Sequence, residues 1–132
     1  MITETRDFRK IGKFTPWKTN LSPLVRYVMD IKDGQDRGIW AFEPYLDGML
    51  IHGCTNLKGL DVKISVRQAL KWAFETLDCS VIYSVAEKGR QDIQVMSIAA
   101  GGRRSHTKGD NVYFKIEAED MSCTRKVFDH GR

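Results

Sequence analysis

The chain has 132 residues, 42% hydrophobic and 29% charged, a composition that fits one folded domain and excludes a wholly disordered chain. Its 21 Lys and Arg against 17 Asp and Glu leave a net charge of +4, too mild a bias to imply nucleic acid by itself. No apolar run approaches the ~20 residues of a membrane-spanning helix, and the opening residues lack the apolar core of a signal peptide, so neither secretion nor a membrane anchor is expected.

Residues 1–20 carry Arg6, Arg9, Lys10, Lys13 and Lys18 against only Glu4 and Asp7, with Phe8, Phe14 and Trp17 interleaved. This stretch reads as a basic N-terminal arm, either a solvated tail or a docking arm. The folded domain is expected over 21–120. Within it, Ser22 and Pro23 open a short helix reaching Met29, and Asp33 to Gly38 form a loop. Gly38 to Tyr45 and Gly48 to Thr55 read as strands around a turn at Leu46 and Asp47, with Pro44 near the strand end.

The clearest element is a helix over 66–77. Val66, Ala69, Leu70, Ala73, Phe74 and Leu77 form one apolar stripe, and Ser65 with Gln68 has the spacing of a capping box. Cys79 to Val85 is β-branched and aromatic and reads as a largely buried strand. A second helix is expected over 92–100, from Asp92 to Ala100, with Ile93, Met96, Ser97 and Ala100 inward and Gly101 and Gly102 as the stop. A hairpin follows, from Arg103 to His106 and from Val112 to Glu117, the latter alternating between Val112, Phe114, Ile116 and Tyr113, Lys115, Glu117. Residues 121–132 form a basic tail containing Phe128.

Cys54, Cys79 and Cys123 are odd in number and far apart, and His52, His106 and His130 show no ligand spacing. Neither a disulfide framework nor a metal site is expected. Cys54 shares a strand face with His52, the spacing at which a thiol and an imidazole could cooperate.

The order of elements resembles the C-terminal half of the GNAT acetyltransferases. The resemblance rests on Met49-Leu-Ile-His52, on the helix segment from Ser65 to Leu77, and on Arg90 to Gly102, and it spans about residues 38–118. It is nearest to the short GNAT-like proteins of tailed phages, including the acetyltransferase-like internal virion protein of short-tailed phages. It implies an α/β fold with a central mixed sheet, the 66–77 helix and the 92–100 helix.

In that family the pyrophosphate of acetyl-CoA binds a glycine-rich loop at a helix start, where backbone N–H groups and the helix dipole meet the anion. The corresponding stretch runs from Asn56 to Lys63, and the resemblance assigns coenzyme binding to Asn56, Lys58, Gly59 and Lys63. Leu60, Asp61 and Val62 stand where glycine or open backbone is wanted, so a degraded cradle, with no cofactor bound, is expected. The resemblance puts Ser97 where a Tyr often serves as general acid, and Glu43 and His52 on the strands lining the acceptor cleft, as candidate bases.

The combined expectation is a non-catalytic, virion-associated GNAT-like protein, located in the virion or host cytoplasm. It would dock on other virion or assembly proteins, or on a second copy of itself, through Phe8, Phe14, Trp17 and Phe128. The alternatives are an acetyl-CoA-dependent N-acetyltransferase using Glu43, His52 and Ser97, and a small nucleic-acid-associated protein using its basic ends.

Overall fold

A computed structural model describes residues 1–14 and 24–121. The chain opens with strand β1 (Ile2–Thr5) and helix α1 (Phe8–Phe14), followed by β2 (Arg26–Lys32), β3 (Gln35–Tyr45) and β4 (Gly48–Thr55). Helix α2 (Leu60–Thr76) crosses to β5 (Val81–Glu87), and α3 (Gln91–Ala99) leads into the hairpin of β6 (Arg103–Lys108) and β7 (Asn111–Glu117). The strands form one seven-stranded sheet in the order β1-β2-β3-β4-β5-β7-β6. Every pairing in it is antiparallel except that of β4 with β5, which α2 bridges as a crossover helix must. This is the mixed α/β architecture expected from the order of elements.

The first 14 residues depart from the arm expected over 1–20. The Asp7 carboxylate accepts from the backbone N–H groups of Arg9 (3.0 Å) and Lys10 (3.4 Å), capping α1. Ile11 is then buried against Met29 and Ile39. The β1 strand pairs with β2 from Ile2↔Asp30 to Thr5↔Tyr27, and Arg26 grips the Glu4 carboxylate through two nitrogens. Residues 2–14 thus belong to the domain.

The short helix expected up to Met29 is instead the start of β2. Val28, Met29 and Asp30 are consecutively buried, because β2 lies between β1 and β3 with its two faces covered. A strand buried on both faces loses the alternation that would announce it. The turn after it is tight: Asp33 and Gly34 both have positive φ, 53° and 76°, as a two-residue hairpin requires.

Helix α2 runs six residues further towards its N-terminus than its apolar stripe indicates. Val66, Ala69, Leu70 and Ala73 are buried as that stripe requires, against Phe42, Ile51, Ile82 and Ile116 of the sheet. Ser65, however, caps nothing. It lies inside the helix, 1% exposed, and accepts a hydrogen bond from Trp40 Nε1 at 2.9 Å. Met96 and Ala100, from α3 and its end, pack into the same cluster, so α2 and α3 share one face of the sheet. The opposite face carries α1 and, further along, a cluster of Leu50, Val81, Tyr83 and Tyr113. No helix among the described residues is long and apolar enough to cross a membrane.

Candidate functional site

The site begins where two parallel strands part. The β4–β5 ladder holds only Met49↔Ile82, Leu50↔Tyr83 and Ile51↔Ser84. On their outer sides the ladders continue, β4 with β3 to Thr55 and β5 with β7 to Glu87. The facing edges of 52–55 and 85–87 therefore diverge with backbone groups outside any ladder. The Trp40 indole lies beside β4 at this point: a Cβ on Gly53 would come within 2.1 Å of its ring, so only glycine fits.

A cleft of about 730 Å³ occupies the opening. Its walls include Gly53, Thr55 and Ser84, which share one sheet face with α2 and α3, and also His52, Cys54 and Val85 from the other face. These last three join the lining where the strand edges part.

On the helical side the rim is the start of α2. Gly59 precedes it with φ 60° and ψ −130°, a backbone conformation suited to glycine, and no side chain caps the helix. The first-turn N–H groups thus retain their attraction for an anion. Lys58, Gly59 and Lys63 line the cleft, whereas Asn56 is exposed outside its lining. Leu60 and Asp61, expected to obstruct a phosphate, are exposed and also outside the lining; of the three suspect residues only Val62 reaches it. The helix starts at Leu60, so its first side chains fan around the axis instead of filling a loop. Leu60 and Asp61 thus leave the cleft itself open, although Asp61 keeps its charge in the helix's first turn.

The loop leading to Gly59 is internally built. Thr55 Oγ1 donates to the Arg37 carbonyl (3.1 Å) and accepts from the Leu57 N–H (3.0 Å), while Asn56 N–H reaches the same carbonyl at 3.3 Å. Across the cleft, Arg90 forms a two-nitrogen contact with Asp92, each bond 3.1 Å. That pairing raises the Arg90 pKa and lowers that of Asp92, chiefly through the hydrogen bond between them.

On the other face, the structure brings Glu43 and His52 together: Oε1 and Nε2 are 2.7 Å apart, and each side chain is 19% exposed. They come from adjacent strands, with Glu43 opposite Leu50 and His52 opposite Ala41. Tyr27 faces the same Ala41 from β2. Burial first, and the Glu43 charge second, push the Tyr27 pKa up, which keeps its phenol protonated. Tyr27 was hidden to sequence reasoning because its strand was read as a helix; the β-branched and aromatic run from Val25 to Ile31 was the available signal. Cys54, two residues from His52, is half-buried and packs towards Ile11, Met29 and Ile39.

Ser97 lies at the seam of α3 and β5, 5% exposed. Its hydroxyl donates to the Ile93 carbonyl at 2.9 Å and accepts from Ser84 Oγ at 2.7 Å. Of the four expected docking aromatics, Phe8 is 77% exposed and Phe14 packs at the edge of the α1 cluster. Trp17 and Phe128 lie outside the described residues.

No family model and no curated protein sequence matches the chain. Solved structures do. The Campylobacter jejuni N-acetyltransferase PseH in complex with acetyl coenzyme A is similar at a TM-score of 0.71 and 15% identity, over 89% of this chain and 99% of that one. The spermidine N-acetyltransferase SpeG from Vibrio cholerae is similar at 0.71 and 11% identity, over 89% and 94%. An aminoglycoside acetyltransferase in complex with coenzyme A and kanamycin is similar at 0.64 and 15%, over 76% and 71%. At such identities the likeness shows a GNAT-like fold. It overturns the expectation of a non-catalytic virion component: these structures are N-acetyltransferases, and nothing in them points to a phage particle.

Proposed function

We propose that this chain is an acetyl-CoA-dependent N-acetyltransferase acting on an amine. The observation that carries the proposal is the gap between β4 and β5, which opens to an uncapped, glycine-led helix start and is lined by His52, whose ring meets Glu43. The similarity to N-acetyltransferase structures, one of them holding acetyl coenzyme A, supports the same reading.

The donor's role is to supply an activated acetyl group. The α2 N-terminus, Gly59, Lys58 and Lys63 suit its pyrophosphate. The unladdered strand edges suit its amide-bearing arm, since an extended chain with amides can borrow a strand's hydrogen bonds.

From the opposite face an amine approaches the same gap. His52, held by Glu43, accepts the proton that the amine nitrogen must lose, through a water where the nitrogen is not in direct reach. The C–N bond forms as the C–S bond breaks, and the sulfur departs as thiolate. Ser97 has committed its proton to the Ile93 carbonyl, so solvent protonates the thiolate.

The test is release of free thiol from acetyl-CoA in the presence of a panel of primary amines. Turnover is expected, with His52→Gln lowering kcat about 10²-fold and Glu43→Gln by less, as for loss of a general base and of the group that orients it. No thiol release with any amine, from protein that binds no acetyl-CoA, would overturn the proposal.

A further inference from the structure

A buried polar relay outside the cleft ties together both ends of the loop that forms its rim. Asp30 of β2 is 0% exposed, an unusual place for a carboxylate. Arg37 Nη2 donates to its Oδ1 at 3.0 Å, and the backbone carbonyl of the same Arg37 holds Thr55 and Asn56, where the loop begins. Ser65, in the second turn of α2, accepts from Trp40 Nε1 and has its own O–H left to give. Burial would raise the Asp30 pKa, but the nearby Ser65 hydroxyl and Arg37, together with the amino terminus, hold it below the ordinary value. Asp30 Oδ2 has no partner of regular hydrogen-bond geometry, so the carboxylate depends on these few contacts.

We propose that Asp30 is a positioning residue for the donor-binding loop: through Arg37 it fixes the loop's first residues, while Ser65 beside it, held by Trp40, anchors the helix that closes the loop. Trp40 makes the relay reach the cleft itself, because its ring both bonds Ser65 and lies against Gly53 at the strand gap. Asp30 touches no substrate. It sets the spacing between Thr55 and Gly59, and so the direction of the N–H groups an anion would meet. This role rests on the donor site proposed above.

Asp30→Asn and Ser65→Ala each break one link, and Val28→Ala, a buried change on the same strand outside the cleft lining, serves as the matched core control. Hydrogen exchange of the ligand-free protein is read over residues 55–62, together with KM and kcat for acetyl-CoA. In both relay variants, exchange in that loop is expected to rise about tenfold while β5 and β7 stay protected. KM should rise about five- to tenfold, as for loss of one interaction with a charged group, with kcat within about twofold. Loop exchange and KM no different from those of Val28→Ala would overturn the proposal. Should Asp30→Asn fail to fold, Ser65→Ala carries the test alone. Should the wild type turn over no acetyl-CoA, the donor-site reading falls, and the exchange measurement still decides whether Asp30 positions the loop.

Discussion

Two residues that a strand pairing sets on one face can act as a unit only if their side chains meet, and Glu43 and His52 meet at 2.7 Å. The carboxylate orients the ring, so each is expected to matter for turnover more than for folding. Their substitutions should therefore lower kcat with little change in melting temperature. Asp30, besides positioning the loop, bears on stability. Its folded pKa lies below its ordinary value of 3.8, so the stability it contributes is fully present above that value and is lost as pH falls below it. In acid titrations followed by circular dichroism, Asp30→Asn should flatten the stability loss below about pH 4 relative to the wild type. A second titration belongs to Tyr83, whose phenol donates to Asp47 at 2.6 Å and whose pKa burial, aided by that bond and the Asp47 charge, raises to about 12. This contribution is whole below pH 10 and fades as pH climbs towards about 12; in Tyr83→Phe that alkaline step should vanish from the tyrosinate absorbance.

Among the elements, α2 shows most clearly what periodicity reveals and what it hides. Its buried stripe of Val66, Ala69, Leu70 and Ala73 was legible because a 3.6-residue repeat is forced on any helix with one covered face. Leu70→Ala should cost about 2–5 kcal/mol in denaturant unfolding. Lys71→Ala, on the exposed side, should stay within about 0.5 kcal/mol. The first turn and a half was not legible: Leu60 and Asp61 face solvent, so no repeat marks them, and Ser65 mimics a cap while serving Trp40. The β2 strand failed for a related reason, being covered on both faces. Of the candidate site, Glu43 and His52 were visible as strand residues flanking a cleft, but their contact depends on the β3–β4 register, which a sequence does not display. Gly53 and Trp40 could not be paired in advance either, since a glycine's reason is the neighbour that fills its space.

At the scale of the whole molecule, the proposed chemistry depends on a break in an otherwise continuous sheet. Of the six strand pairs five are antiparallel, and the one parallel pair separates after Ile51 and Ser84. The separation opens a cleft beside the start of α2, with His52 in its lining and Glu43 in contact with His52. The most direct test is calorimetric titration of the protein with acetyl-CoA. The account predicts saturable binding of one molecule per chain, with a dissociation constant on the order of micromolar to tens of micromolar, weakened by substituting Lys58 and Lys63 together. A titration with no saturable heat and no thermal stabilisation up to millimolar acetyl-CoA would contradict it.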